Sequence, residues 1–135
     1  MKLSTIFLLL SPLGLSAASS PTDHSCGKLG VMTVDRSKLP LNVDPNNIRE
    51  CADHPEGGSK ASRRDPEAAA ECWFGKPSGC SSGYCFKTCG NGGEWCWTAS
   101  NGGYGDWITC KSDSACSTDQ ACGQGDNCSA CGCRC

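Results

Sequence analysis

Apolar positions crowd the amino terminus and then thin out. Ile6 to Leu10, with Leu13 and Leu15, form a short run behind Lys2, and Ser16, Ala17 and Ala18 follow it. A positive start, an apolar stretch and small residues, in that order, predict a secretory signal peptide over 1–18, cleaved after Ala18. The run is shorter than the roughly 20 residues a spanning helix needs. Pro12 and Gly14 interrupt it, and no later stretch reads as a membrane span. Residues 19–64 carry no Phe, Trp or Tyr and are punctuated by Leu39-Pro40, Asp44-Pro45, His54-Pro55 and Glu56-Gly57-Gly58. A helix is predicted from Asp65 to about Cys72, with Asp65 as N-cap, Pro66 at the first helical position and Glu67 beside the positive helix end. Gly75 and Pro77 stop it.

Beyond residue 80 the pattern tightens. Cys85 and Cys89 lie four apart in a segment ended by Gly90, a spacing that puts both on one face of a helical turn. Glu94-Trp95-Cys96-Trp97-Thr98 alternates as a strand does, with Trp95 and Trp97 on one face and Cys96 and Thr98 on the other. Asp106 to Cys110 reads as its hairpin partner across the turn signal Asn101-Gly102-Gly103. After Cys110, cysteines recur at 116, 122 and 128 among Ser, Asp, Gly and Gln, which predicts bridged loops with little to pack. Cys131-Gly-Cys133-Arg-Cys135 alternates again. A helical C-x3-C facing an extended C-x-C would make a cystine-stabilised αβ fold of defensin or knottin type. The other reading is an irregular knot with no true helix. Either way the fold class is small and disulfide-rich, with a short helix plus a β-hairpin in the first case.

Composition adds the means of stabilisation. All 14 cysteines follow Ala18: Cys26, Cys51, Cys72, Cys80, Cys85, Cys89, Cys96, Cys110, Cys116, Cys122, Cys128, Cys131, Cys133 and Cys135. An even count in a short secreted chain signals a disulfide framework. Such a chain buries too little apolar surface to fold on that alone, and each bridge restricts the unfolded state by about 2–4 kcal/mol. Two cysteines precede Arg63-Arg64 and twelve follow it. This paired basic sequence, after a small and polar stretch, predicts an exposed site for a kexin-type protease of the secretory pathway. A cut there would leave each piece able to close its own bridges: a 19–64 pro-peptide with one, Cys26–Cys51, and a 65–135 domain with up to six. Without the cut, 19–64 is a small N-terminal subdomain.

Charge separates the two parts as well. Residues 65–135 carry eight acidic and four basic side chains, net −4, against six acidic and seven basic in 19–64. No basic stripe is present to neutralise phosphates, which argues against nucleic acid as a direct partner.

Catalytic parts are scarce. The two histidines, His24 and His54, both precede Arg64, so a processed product lacks the usual general base and the Ser-His or Cys-His nucleophile pair. Glu94 and Asp106 could face each other across the hairpin as a carboxylate pair, but solvated strand ends look the same. Cys128 to Cys135 would suggest zinc or copper thiolates in a reducing compartment; behind a signal peptide it suggests disulfides, so no metal or other cofactor is expected. Trp95, Trp97, Tyr104 and Trp107 are the candidate ligand-binding residues, a hairpin aromatic face of the kind that stacks on sugar rings or anchors a protein interface. The competing reading makes them the small core itself. Asn127-Cys128-Ser129 fits the glycosylation sequon, though neighbouring bridges would obstruct it.

Several of these stretches carry a resemblance. Cys26-Gly-Lys-Leu-Gly-Val-Met, Asn47-Ile-Arg-Glu-Cys51-Ala-Asp-His54-Pro55, Cys80-Ser-Ser-Gly-Tyr-Cys85, Gly-Glu-Trp-Cys96-Trp-Thr-Ala, Gly-Asp-Trp-Ile-Thr-Cys110 and the terminal Cys-Ser-Ala-Cys-Gly-Cys-Arg-Cys resemble the small secreted cysteine-rich proteins of filamentous ascomycete fungi. These are expressed during infection or vegetative incompatibility and treated as candidate effectors. The resemblance implies a non-enzymatic extracellular protein that modulates or elicits plant defence in the host apoplast, with a host protein or a cell-wall polysaccharide as partner. Two alternatives stand beside it: a defensin-like antimicrobial toxin, which the acidic 65–135 region disfavours because it would not be drawn to anionic lipid, and a chitin- or glucan-binding module.

Overall fold

A tight hairpin starts the sheet. In the computed structural model, which describes residues 26–27, 29–56 and 71–135, β1 (Ser78–Ser81) pairs antiparallel with β2 (Tyr84–Thr88). The register sets Ser81 opposite Tyr84 and leaves Ser82-Gly83 as a two-residue loop with φ of 52° and 86°. Two positive φ angles match the right-handed twist of the strands, and glycine takes one of them at no steric cost. β3 (Trp95–Ala99) pairs antiparallel with β2, and β4 (Ala121–Cys122) with β3, giving a four-stranded sheet in sequence order.

The predicted helical turn at Gly83–Gly90 is a strand. The spacing misled because residues four apart share a face in a strand as well as in a helix. Tyr84, Phe86 and Thr88 alternate with Cys85 and Lys87, the strand period that the cysteine spacing obscured. No α-helix occurs among the described residues; only single 3-10 turns do, at Arg36–Lys38, Asn101–Gly103 and Asp113–Ala115. The helix expected from Asp65 lies outside the described residues except for Glu71 and Cys72, which are irregular. Ala18, Arg63 and Arg64 lie outside them too.

The second hairpin forms only in part. Ala99 bridges Trp107 across the Asn101–Gly103 turn, as expected, but β3 takes its strand partners from β2 and β4. The backbone of Ile108 inserts where β2 and β3 part: its N–H donates to Thr98 O (3.0 Å) and its carbonyl accepts from Cys85 N (2.9 Å). Gly103 (φ 96°) passes so close to β4 that a Cβ there would sit 2.1 Å from Cys122 O.

All 14 cysteines are paired: Cys26–Cys51, Cys72–Cys135, Cys80–Cys110, Cys85–Cys116, Cys89–Cys133, Cys96–Cys122 and Cys128–Cys131. Cys26 and Cys51 pair with each other and the other twelve among themselves. The defensin-type pattern is absent, since Cys85 reaches Cys116 from β2 and Cys89 reaches Cys133 from just past its end, neither from a helix. The strand cysteines Cys80, Cys85 and Cys96 share one face of the sheet, where Cys85 and Cys96 are buried, and Phe86, Trp95 and Trp97 project from the other.

Residues 26–56 lie against this sheet. Internally they hold a short antiparallel pairing, Val31 opposite Cys51, with Met32 N donating to Glu50 O (2.7 Å) and Ala52 N to Gly30 O (3.1 Å). Asn127 seizes one side of it: its amide donates to Leu29 O (3.2 Å) and Val31 O (2.9 Å) and accepts from Thr33 N (2.9 Å). The nitrogen a glycan would occupy is thus already committed. Asn101 does the same on the other side, with Asp44 and Asn47.

Candidate functional site

Period-two alternation sorts the rings. Trp95 and Trp97 on β3 and Phe86 on β2, directly opposite Trp97, project from the same face of the sheet. Trp73, which precedes β1, closes the row. Successive rings meet edge to face, Trp73–Phe86 at 5.7 Å, Phe86–Trp95 at 6.2 Å and Trp95–Trp97 at 5.1 Å, the geometry aromatic quadrupoles favour. Gly79, opposite Phe86, leaves room for that ring: a Cβ there would lie 3.0 Å from it.

This face lines a groove of about 940 Å³. Its floor is Trp73, Phe86, Trp95 and Trp97, and its rim includes Glu56, Glu71, Lys76, Ser81, Ser82 and Asp113. Trp73 is 43 % exposed and Trp95 half-buried, whereas Trp97 is almost wholly covered. Two indole N–H groups are used internally, Trp73 Nε1 on Lys76 O (2.8 Å) and Trp95 Nε1 on Glu71 O (2.9 Å). These two rings therefore offer a ligand their carbon surfaces, and polar contacts must come from the rim. There, Asp113 accepts from Cys80 N (2.9 Å) and from Lys76 Nζ (2.9 Å). The backbone N–H first, and then the Lys76 ammonium, hold the Asp113 carboxyl below the usual carboxylate range. Glu56 and Glu71 make no ion pair among the described residues.

Behind the groove sits a buried cationic anchor. His54, 3 % exposed, stacks on Trp97 (centroids 4.3 Å, 8° between planes) and meets Tyr84 and Trp107 edge-on at 4.6 and 4.7 Å. Its Nδ1 accepts from Glu56 N (3.0 Å), while Nε2 finds no hydrogen-bond partner. Burial, and then the charge of Arg49, push the His54 pKa down to about 3, so the ring is neutral at physiological pH. The Arg49 guanidinium lies 4.1 Å over the Trp107 ring and donates to Gly103 O (2.8 Å), Gly105 O (3.2 Å), Gln124 O and Cys131 Sγ (2.9 Å). Burial draws its pKa down to about 10, opposed by nearby Asp106, so it remains a cation. Carbonyl oxygens and a π face stand in for a carboxylate counter-ion.

The four aromatic residues singled out in the sequence therefore part company. Trp95 and Trp97 line the groove. Trp107 belongs to the anchor, its Nε1 bonded to Asp53 O (3.2 Å). Tyr104 is half-buried, takes the Arg49 backbone N–H on its carbonyl (3.0 Å) and does not line the groove. Trp73 and Phe86 were missed, although Tyr84-Cys-Phe86 alternates as plainly as Trp95-Cys-Trp97. Glu94 and Asp106 do not form a carboxylate pair across a hairpin: Glu94 folds back to accept from Gly92 N (2.7 Å), and Asp106 faces the Arg49 charge. The sulfurs of Cys80, Cys110 and Cys116, and of Cys89, Cys96 and Cys122, cluster within 4.8 Å, but all belong to disulfides and offer no thiolate.

Among the described residues no helix is long and apolar enough to cross a membrane. No protein-family model, no curated protein and no solved structure matches this chain.

Proposed function

We propose that this is a secreted, non-enzymatic, effector-like protein that acts in the host apoplast by binding, and that its working surface is the aromatic groove. One observation carries the reading: strand alternation turns Cys85 and Cys96 to one side of the sheet and leaves partly exposed rings, Trp73 and Trp95 above all, lining a concavity on the other. A domain this small normally spends its large rings on its core, so rings left in a groove are a sign of recognition. His54, the histidine within the fold, is enclosed and neutral with a pKa far from 7, which suits packing rather than proton transfer. The density of bridges accords with survival among extracellular proteases.

A cell-wall saccharide is the ligand class the groove suits best. Sugar rings stack their C–H faces on aromatic carbon, and the rim supplies hydroxyls at Ser81 and Ser82 and carboxylates at Glu56 and Glu71 for the ring hydroxyls. Pull-down on insoluble chitin and β-glucan, with Trp73→Ala and Trp95→Ala alongside, tests this. Retention of the native protein and at least a tenfold loss in both variants is expected. No retention on any polysaccharide would remove the saccharide and turn the search to a host protein partner.

A further inference from the structure

We infer that a cut between residues 56 and 71 leaves residues 26–56 bound to the cystine core, so that the mature protein is a non-covalent two-chain complex rather than a core freed of a pro-peptide. This goes beyond the binding reading and does not depend on it. Two independent sets of observations carry it.

The first is covalent. Cys26 pairs with Cys51, and the six bridges of residues 72–135 close among themselves. Once the connecting peptide is broken, no disulfide ties the two parts together. Arg63-Arg64 lies within that connection, as the paired basic sequence that secretory proteases cut.

The second is the interface. A disposable pro-segment would be held at the surface, whereas this one sends Arg49 and His54 into the interior. Arg49 and His54, at 5 % and 3 % exposure, are among the most buried polar side chains described, and both come from the segment. Arg49 reaches three carbonyls of the core, those of Gly103, Gly105 and Gln124, the first two in buried contacts. Trp97, Tyr84 and Trp107 close around His54. Asn127 and Asn101, both core residues, hold the segment's backbone on either side with six hydrogen bonds. Losing the segment would strip the cover from Trp97 and Trp107 and forfeit the charge-assisted hydrogen bonds that Arg49 makes to the core carbonyls. The segment also supplies Glu56 to the groove rim, so the groove is composite.

The test takes the purified, oxidised full chain, cuts it with a kexin-type protease, and weighs the product twice without reductant: by native mass spectrometry and after denaturation. If Arg63-Arg64 resists, a site-specific protease sequence inserted between residues 57 and 70 supplies the cut. The expected result is one native species holding both pieces at micromolar concentration, resolving into two chains in denaturant. Separation of the pieces under native conditions overturns the proposal, as does a product that denaturant alone does not divide. Arg49→Met, cut in the same way, is expected to weaken retention at least 100-fold. If that variant fails to fold, Asn127→Ala is the substitute, with an expected loss of about tenfold. Retention equal to that of the native protein in the folded variant would overturn the anchoring.

Discussion

Residues 26–56 and residues 72–135 are held in place by opposite means. The core, 72–135, contributes six of the seven bridges, and its sheet is short: four strands of two to five residues. Cross-links spanning 26 to 63 residues, five of the six, restrict its unfolded chain. The N-terminal segment has one bridge and no strand of its own, and is held by polar contacts, chiefly those of one guanidinium, one imidazole, two asparagine side chains and a few backbone hydrogen bonds. Covalent restraint tolerates pH and denaturant, whereas a desolvated cation and a neutral histidine do not. The difference predicts a molecule with a durable half and a titratable half.

The largest effect is expected from Arg49→Met. It removes the donors to two buried carbonyls and one partly buried carbonyl and the stacking on Trp107, and should destabilise the docked segment by about 3–5 kcal/mol. Hydrogen exchange should rise in residues 26–56 and leave β2 and β3 protected; a uniform rise across both would show the two regions to be one cooperative unit.

Acid should act next. His54 has a pKa of about 3 in the fold against an ordinary 6.5. The unfolded segment therefore takes up a proton first, and stability, complete above pH 6.5, declines as pH falls toward 3. At about 1.4 kcal/mol per pH unit, discounted for partial solvent screening of the ring, the loss amounts to about 3 kcal/mol. Tryptophan fluorescence, through Trp97 and Trp107, follows it. His54→Leu should flatten the profile between pH 6.5 and 3, and an unchanged profile would place the acid sensitivity elsewhere.

Asn127→Ala sharpens the comparison at its smallest scale. It deletes three hydrogen bonds that are exposed or only partly buried, for an expected loss of about 1–2 kcal/mol, confined to residues 29–33. Amide exchange at Thr33 reads it directly. A loss above 3 kcal/mol would mean that Asn127 also orders the Cys128–Cys131 turn.

How much of this was legible in the chain varies with the range of the interaction. β3 was readable because Trp95 to Thr98 alternates over enough residues for period two to stand out. β2 was misread because its most conspicuous pair, Cys85 and Cys89, fits both periods, and only Tyr84 and Phe86 decide between them. The groove was half legible for the same reason: its β3 rings were visible, but Trp73 and Phe86 join it through strand pairing. Arg49 and His54 carried no local signal at all. Both stand among prolines and polar residues, and the core partners of their side chains are 30 to 82 positions away.

The sequence by itself determined the class of solution: a cysteine count too high and apolar content too low for anything but a cross-linked fold, with cysteines divided two and twelve about a dibasic pair. It also determined where hairpin turns could form, since positive φ at Gly83 and Gly103 is a local requirement. Only the tertiary structure decided which cysteines meet, which rings stay partly in solvent, and that residues 26–56 anchor in the core through Arg49 and His54 rather than hang from it. Those outcomes depend on contacts between distant residues. They follow from how a few strands pair and which carbonyls are left needing a donor, and composition and spacing do not encode either.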